Sequence, residues 1–130
     1  MTTDLVVLID KDLLDTILEG ARRLHPRETI LLLRGKKKRE AITVSELVVP
    51  PFATYGHGFA SVPLHMLPMD FSIVGTVHSH PSGSLNPSAA DLNHFFGSVL
   101  MIVAFPYADE NNTVVYSSDG HKHQLEIVKP

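Results

Sequence analysis

The 130-residue sequence contains no cysteine. Disulfides, thiolate metal sites and cysteine nucleophiles are therefore excluded, and any metal must be held by His, Asp or Glu. Neither sign of charge dominates: Lys and Arg number 11, Asp and Glu 14, for a formal net charge of −3. That balance gives no electrostatic case for nucleic acid or a membrane surface as the main partner. Aromatic residues make up only 7% and no basic patch is interleaved with them, which also speaks against nucleic acid. Long apolar runs are missing too. Leu5-Val-Val-Leu-Ile9 is five residues long and follows no basic segment, so neither a membrane span nor a signal peptide is read, and the cytoplasm is the default location. There is no internal repeat, linker or low-complexity segment, and the length favours one domain, residues 1–130, with one core.

The remaining pattern alternates strands and helices. Leu5–Ile9 is rich in β-branched residues and reads as a strand. Asp10 then caps a helix whose apolar stripe is Leu13, Leu14, Ile17, Leu18, Ala21 and Leu24, ended at His25-Pro26. Glu28–Arg34 reads as a buried strand, Gly35 and Lys36–Arg39 as a turn, and Ala41–Val49 as the returning strand. Pro50–Gly58 is an irregular loop, Phe59–Val62 a short edge strand, and Pro63–Asp70 a helical turn or short helix. Phe71–Ser79 is a strand, Asn86 and Pro87 open a helix that runs to about Phe96, and Leu100–Phe105 is a strand. A last hairpin joins Thr113–Ser117 to Gln124–Val128 with Asp119-Gly120 in its turn. The order predicts a mixed β-sheet with two main helices, in the α/β or α+β region of fold space.

One stretch carries chemistry: TVHSHPSGSLNPSAAD, Thr76 to Asp91. Residues two apart on a strand face the same side, so His78 and His80 project in parallel. A helix opening at Asn86 puts Ser88 and Asp91 on one face at i and i+3. The Pro- and Gly-containing loop between them can fold that face onto the strand. His78, His80 and Asp91 then form an N, N, O ligand set that suits a catalytic Zn(2+) ion, with the fourth tetrahedral position left to water. Such an ion acidifies water and polarises a carbonyl oxygen. Glu28, a carboxylate at the head of an apolar strand, is the candidate general base, with Glu19, Glu40 and Glu46 as rivals. Ser88 is placed to donate a hydrogen bond to an oxyanion. Chance occurrence of His-x-His-x7-Ser-x2-Asp in a chain of this composition has odds of about one in five hundred.

These residues resemble the JAMM, or MPN-plus, motif: a Glu, then His-x-His, seven residues, Ser, two residues and Asp. HSHPSGSLNPSAAD matches the second part without gap or substitution, and HPRETILLLRG is similar to the segment that carries the glutamate in archaeal members, which assigns that role to Glu28. The similarity extends to LLDTILEGARRLHP, LHMLPMDFSIVGTVHSHPS and IVAFPY, nearly the whole chain. It implies a β-sheet flanked by helices, of cytidine-deaminase-like kind. It also implies zinc-dependent hydrolysis of the peptide or isopeptide bond after the C-terminal Gly-Gly of a ubiquitin-like modifier or sulfur-carrier protein, the modifier or its conjugates being the partner. By similarity, residues 51–62 occupy the place where larger members grip the substrate's extended tail, which makes Tyr55, His57 and Phe59 candidate substrate contacts. No counterpart of the second insertion of larger members follows the motif helix.

Plainer readings stand beside these. The His pair and Asp91 could form a polar turn with a capped helix, Glu28 a strand-edge carboxylate in a surface ion pair, and Ser88 a first-turn hydroxyl that satisfies a backbone N–H. His94 reads as a packing residue, His57 as a solvated loop residue and Lys36–Arg39 as a solvated turn. Two rival functions remain: a non-catalytic MPN scaffold, and a related hydrolase acting on an amino acid or peptide attached to a sulfur carrier. The oligomeric state is open, a homodimer included.

Overall fold

The computed structural model describes residues 5–49, 54–56, 59–61, 72–93 and 97–129. Its elements in chain order are β1 (Val6–Asp10), α1 (Lys11–Leu24), β2 (Ile30–Lys37), β3 (Ala41–Val48), β4 (Thr54–Gly56), β5 (Phe59–Ser61), β6 (Ile73–His80), α2 (Ala89–Asn93), β7 (Val99–Ala104), β8 (Thr113–Tyr116) and β9 (Lys122–Val128), with a 3₁₀ turn at Glu110–Asn112. Seven strands form one mixed sheet in the order β1-β3-β2-β6-β7-β8-β9, which closes on itself because β9 also pairs with β1. The parallel pairs are β1 with β3, β1 with β9, and β6 with β7; the others are antiparallel. The mixed, curved sheet with its helices is the architecture the sequence pattern predicts.

The core follows the two-residue period of the strands. Val7, Ile9, Leu33, Ile42, Val44, Val77, Val99, Met101, Val103 and Val115 share one cluster with Leu14, Ile17, Leu18 and Ala21 of α1. The alternate residues of β7 and β8, Leu100, Ile102, Val114 and Tyr116, form a second cluster on the opposite face, under Leu85 and Leu92. β7 is therefore buried on both faces, as a parallel-paired central strand with helices on either side must be. The second cluster bears directly on the motif: Leu92 belongs to α2, Leu85 to the loop before it, and the Tyr116 hydroxyl donates to the Leu85 carbonyl at 2.9 Å.

Several boundaries differ from the sequence reading. The Asp10 side chain accepts from Asp12 N at 2.8 Å and caps α1 as expected, but Leu24, expected in the buried stripe, is 47% exposed at the helix end. Gly35 lies inside β2, at a register shift against β3, so the strand continues to Lys37 and the turn begins later. Residues expected as a loop with a following edge strand instead give a separate two-stranded ribbon, with Tyr55 opposite Ala60 and Gly56 opposite Phe59. Thr, Tyr and Phe, good strand residues, flank its Gly-His-Gly segment. The expected helical turn at 63–70 and the end of the motif helix at 94–96 lie outside the described residues. Among the described residues no helix is long and apolar enough to cross a membrane.

The close approach of β6 and β7 depends on Gly75, where a Cβ would collide with the Val99 carbonyl oxygen. Gly20, on the exposed side of α1, has open space at the same position. Gly75→Ala should therefore destabilise the fold by about 3 kcal/mol through backbone overpacking. Gly20→Ala should stabilise it by up to about 1 kcal/mol, because Gly is the poorer helix former. Denaturant midpoints of both variants check this; equal midpoints would contradict it.

Candidate metal centre

Strand β6 lies between β2 and β7, and its alternation sorts the motif onto two faces. His78 pairs with Ile102 and His80 with Ala104, so both imidazoles rise on the α2 side, while Val77 and Ser79 turn to the α1 side. Both histidines are buried. The chain then turns sharply: the His80 carbonyl accepts from Gly83 N and Phe105 N, each at 3.1 Å. The turn brings the Ser84 carbonyl to 3.0 Å from His80 Nδ1.

The expected helix start is corrected here. Asn86 is not the cap; α2 begins at Ala89 and Ser88 caps it. Ser88 Oγ accepts from Asp91 N at 3.0 Å and Asp91 Oδ2 accepts from Ser88 N at 2.8 Å, a reciprocal capping box. The Ser-x-x-Asp spacing is the signal for this arrangement. The plainer reading of Ser88 is thus present, but it uses only the acceptor capacity of the hydroxyl, whose hydrogen stays available to donate. The box fixes Asp91 with one oxygen toward each imidazole. Oδ2 lies 3.1 Å from His80 Nε2 and Oδ1 lies 3.3 Å from His78 Nδ1.

Glu28 lies two residues before β2. The β2–β6 ladder pairs Ile30 with His78, and two residues further the same register sets Glu28 opposite His80. One ligand-type atom each of Glu28, His80 and Asp91 lies within 4.8 Å of the others. His78 completes the neighbourhood through Asp91. Among the described residues no hydrogen bond or ion pair holds the Glu28 carboxylate. Glu19 and Glu46, two of its rivals, pair instead with Arg23 at 2.9 Å and Arg34 at 3.3 Å.

The electrostatics favour a cation at this point. A carbonyl can only accept, so His80 Nδ1 is the donor to Ser84, and Nε2 faces a carboxylate oxygen as a bare lone pair unless a proton or metal lies between. Burial opposes charging His80. The Asp91 hydrogen bond and charge, the Ser84 carbonyl and the Glu28 charge together outweigh it, and its pKa is raised above 6.5. Burial likewise opposes ionising Asp91, but the two imidazoles and the Ser88 N–H hold its carboxyl well below the usual carboxylate range. Glu28 is raised, chiefly by burial, with the Asp91 charge adding to it and the imidazoles opposing. Both nitrogens of His78 are buried without a hydrogen bond, Nδ1 approaching Asp91 without completing one. Native proteins rarely leave such atoms unpartnered, and imidazoles beside a carboxylate fit a divalent metal.

Of the candidate residues, Glu28, His78, His80, Ser88 and Asp91 are thus brought to one place. Tyr55 and Phe59 lie opposite Ala60 and Gly56 in the ribbon, with only their backbone described, and His57 and His94 lie outside the described residues. Two partners escaped the sequence reading: the Ser84 carbonyl at His80, which no residue type announces, and a Thr29–Ser79 contact behind the histidines, which becomes visible only once the strand register is known.

Comparison with known proteins points the same way. A probable metalloprotease of Haloferax volcanii is 34% identical over 130 residues, covering 95% of this chain and 80% of that protein. The crystal structure of a JAB1/MPN domain protein from Archaeoglobus fulgidus is 38% identical, with a TM-score of 0.66 over 92% of this chain and 97% of that one. A JAMM structure, described as a metalloprotease-like zinc site in the proteasome and signalosome, is 36% identical, with a TM-score of 0.64 over 95% of this chain and 98% of the other. A family model described as prokaryotic homologs of the JAB domain matches residues 10–120. With that match spanning most of the sheet and the whole motif, the chain belongs to the prokaryotic JAB domain family.

Proposed function

We propose that this protein is a zinc-dependent protease of the JAMM kind, which hydrolyses the peptide or isopeptide bond after the C-terminal Gly-Gly of a ubiquitin-like modifier or sulfur-carrier protein. The observation that carries the reading is the convergence of Glu28, His80 and Asp91 within 4.8 Å, with His78 on the second oxygen of Asp91. His78, His80 and Asp91 would hold the ion, which when bound would supply Lewis-acid polarisation of the substrate carbonyl and a more acidic water.

The chain's own residues do the rest. Glu28 takes a proton from the attacking water and returns it to the leaving amine as the C–N bond breaks. Burial raises its pKa, which makes it a stronger base than an exposed carboxylate. The free Ser88 hydroxyl hydrogen donates to the carbonyl oxygen as negative charge develops there. The Ser84 carbonyl holds the His80 ring in the tautomer that presents Nε2 to a metal. Specificity for the Gly-Gly tail is supported by the resemblance of residues 51–62 to the tail-gripping segment, with Tyr55, His57 and Phe59 as its contacts.

The test is a conjugate in which a ubiquitin-like protein ending in Gly-Gly is joined to a second polypeptide, incubated with and without chelator and read by mass. Cleavage directly after Gly-Gly, lost with chelator and restored by zinc, is expected. Intact conjugate alongside release of an amino acid or peptide from a sulfur carrier would reassign the substrate. Glu28→Gln should keep one zinc and lower kcat by at least about 10²-fold, the usual weight of general-base catalysis. Wild-type turnover in that variant would remove Glu28 from the role.

Zinc affinity should also depend on pH in a fixed direction. The His80 pKa is raised, so below it the metal-free site carries a proton that zinc must displace. Affinity therefore rises with pH by about tenfold per unit on the acid side, and levels off once the ring is neutral. Calorimetric titration in buffers of different ionisation enthalpy should show one proton released per zinc on the acid side. A flat profile would contradict this account.

A further inference from the structure

Glu28 has no partner among the described residues to hold its carboxylate, and it lies just outside the hydrogen-bonded part of β2, which begins at Ile30. Its place opposite His80 must come from the backbone on either side. On one side Arg27 N donates to Leu24 O at 2.7 Å, tying the segment to the end of α1. On the other, Thr29 is bound to a single residue by three hydrogen bonds. Thr29 N donates to Ser79 Oγ at 2.7 Å, the two hydroxyls share a hydrogen bond at 2.9 Å, and Ser79 N donates to Thr29 O at 3.0 Å.

Ser79 is the residue between the two histidines. Its backbone sends His78 and His80 to one face of β6, and its own side chain, fully buried, leaves on the other. There it meets Thr29 above an apolar slot of about 210 Å³ between α1 and the sheet, lined among others by Ile17, Ala21, Leu31 and Val77. Apart from Thr16, Thr29 and Ser79 itself, no side chain lining that slot offers a hydrogen-bonding group, so inside it a Thr29 N–H released by Ser79 would be left to water.

From this geometry we propose that Ser79 is a positioning residue: its hydroxyl, acting through Thr29, sets the distance between the Glu28 carboxylate and the metal-binding face of β6. The inference deepens the protease reading and rests on it for its kinetic consequence, though not for the contact itself. One side chain thereby couples the base to both imidazoles, since any shift of β6 carries Ser79, and with it Thr29 and Glu28.

The experiment combines a double-mutant cycle with amide exchange on the full chain. Ser79→Ala leaves all ligands in place and should still bind one zinc with affinity within about threefold of wild type. Its kcat on the Gly-Gly conjugate should fall by about 10- to 100-fold, the usual effect of removing a supporting hydrogen bond behind a catalytic group, with KM unchanged. Ser79→Thr, which keeps the hydroxyl, should restore it. In a Glu28→Gln background Ser79→Ala should cost nothing further, because the group it positions is already gone. Independently of activity, the Thr29 amide should exchange at least about tenfold faster in Ser79→Ala and at the wild-type rate in Ser79→Thr. Losses that multiply in the double variant, or an unchanged Thr29 exchange rate, would overturn the proposal. If the wild type cleaves no conjugate the protease reading fails, and the exchange rates still decide whether Ser79 holds Thr29. Should Ser79→Ala not fold, Thr29→Val removes the hydroxyl bond alone and carries the same cycle, with a smaller expected loss.

Discussion

The placement of Asp91 between two imidazoles is the interaction on which the rest of the site depends. A carboxylate buried beside two ring nitrogens is unfavourable unless positive charge is shared among them. The fold enforces that meeting from two directions. β6, paired on both sides, fixes the histidines, and the Ser88 capping box fixes the carboxylate at the first turn of α2. Neither half is useful alone. The second hydrophobic cluster, through Leu85, Leu92 and the Tyr116 hydroxyl, keeps α2 and its loop on the sheet, so core packing on this face maintains the ligand geometry.

A division of labour between the two faces of β6 follows. One face carries groups that favour a cation: two imidazoles, one carboxylate held strongly ionised, and the Glu28 carboxylate raised by burial. The opposite face carries the Ser79–Thr29 contact and otherwise packs a largely apolar cluster on α1. Two carboxylates within a few ångströms are thus driven in opposite directions by their surroundings. Imidazoles and a backbone N–H stabilise the charged form of Asp91, while Glu28 is desolvated with no hydrogen bond from the described residues to compensate. That separation is what a site with one ligand carboxylate and one proton-transferring carboxylate requires.

Much of this was legible in the residues. The spacing of His78 and His80 required a shared strand face, and the Pro- and Gly-containing loop allowed the chain to fold back. The stripe from Leu13 to Ala21 marked α1, and Asp119-Gly120 marked the last turn, where Gly120 takes a positive φ of 85°. What escaped depends on tertiary register. Gly35 reads as a turn residue by propensity, yet inside β2 it is needed because a side chain there would strike the Thr43 carbonyl of β3. Asn86-Pro87 is a plausible helix start, but Ser88 takes the cap, its hydroxyl accepting from Asp91 N while its own N–H donates to the Asp91 carboxylate. The closure of the sheet through β1 and β9, and the tie between Thr29 and Ser79 fifty residues apart, are long-range pairings that no local pattern encodes.

The coordination sphere of the zinc-loaded protein tests the central claim most directly. X-ray absorption at the zinc edge should give two imidazole nitrogens, with the remaining ligands oxygen at about 2.0–2.2 Å, one of them lost in Asp91→Ala. Three or more imidazoles, or a sphere unchanged when Asp91 is removed, would contradict the account.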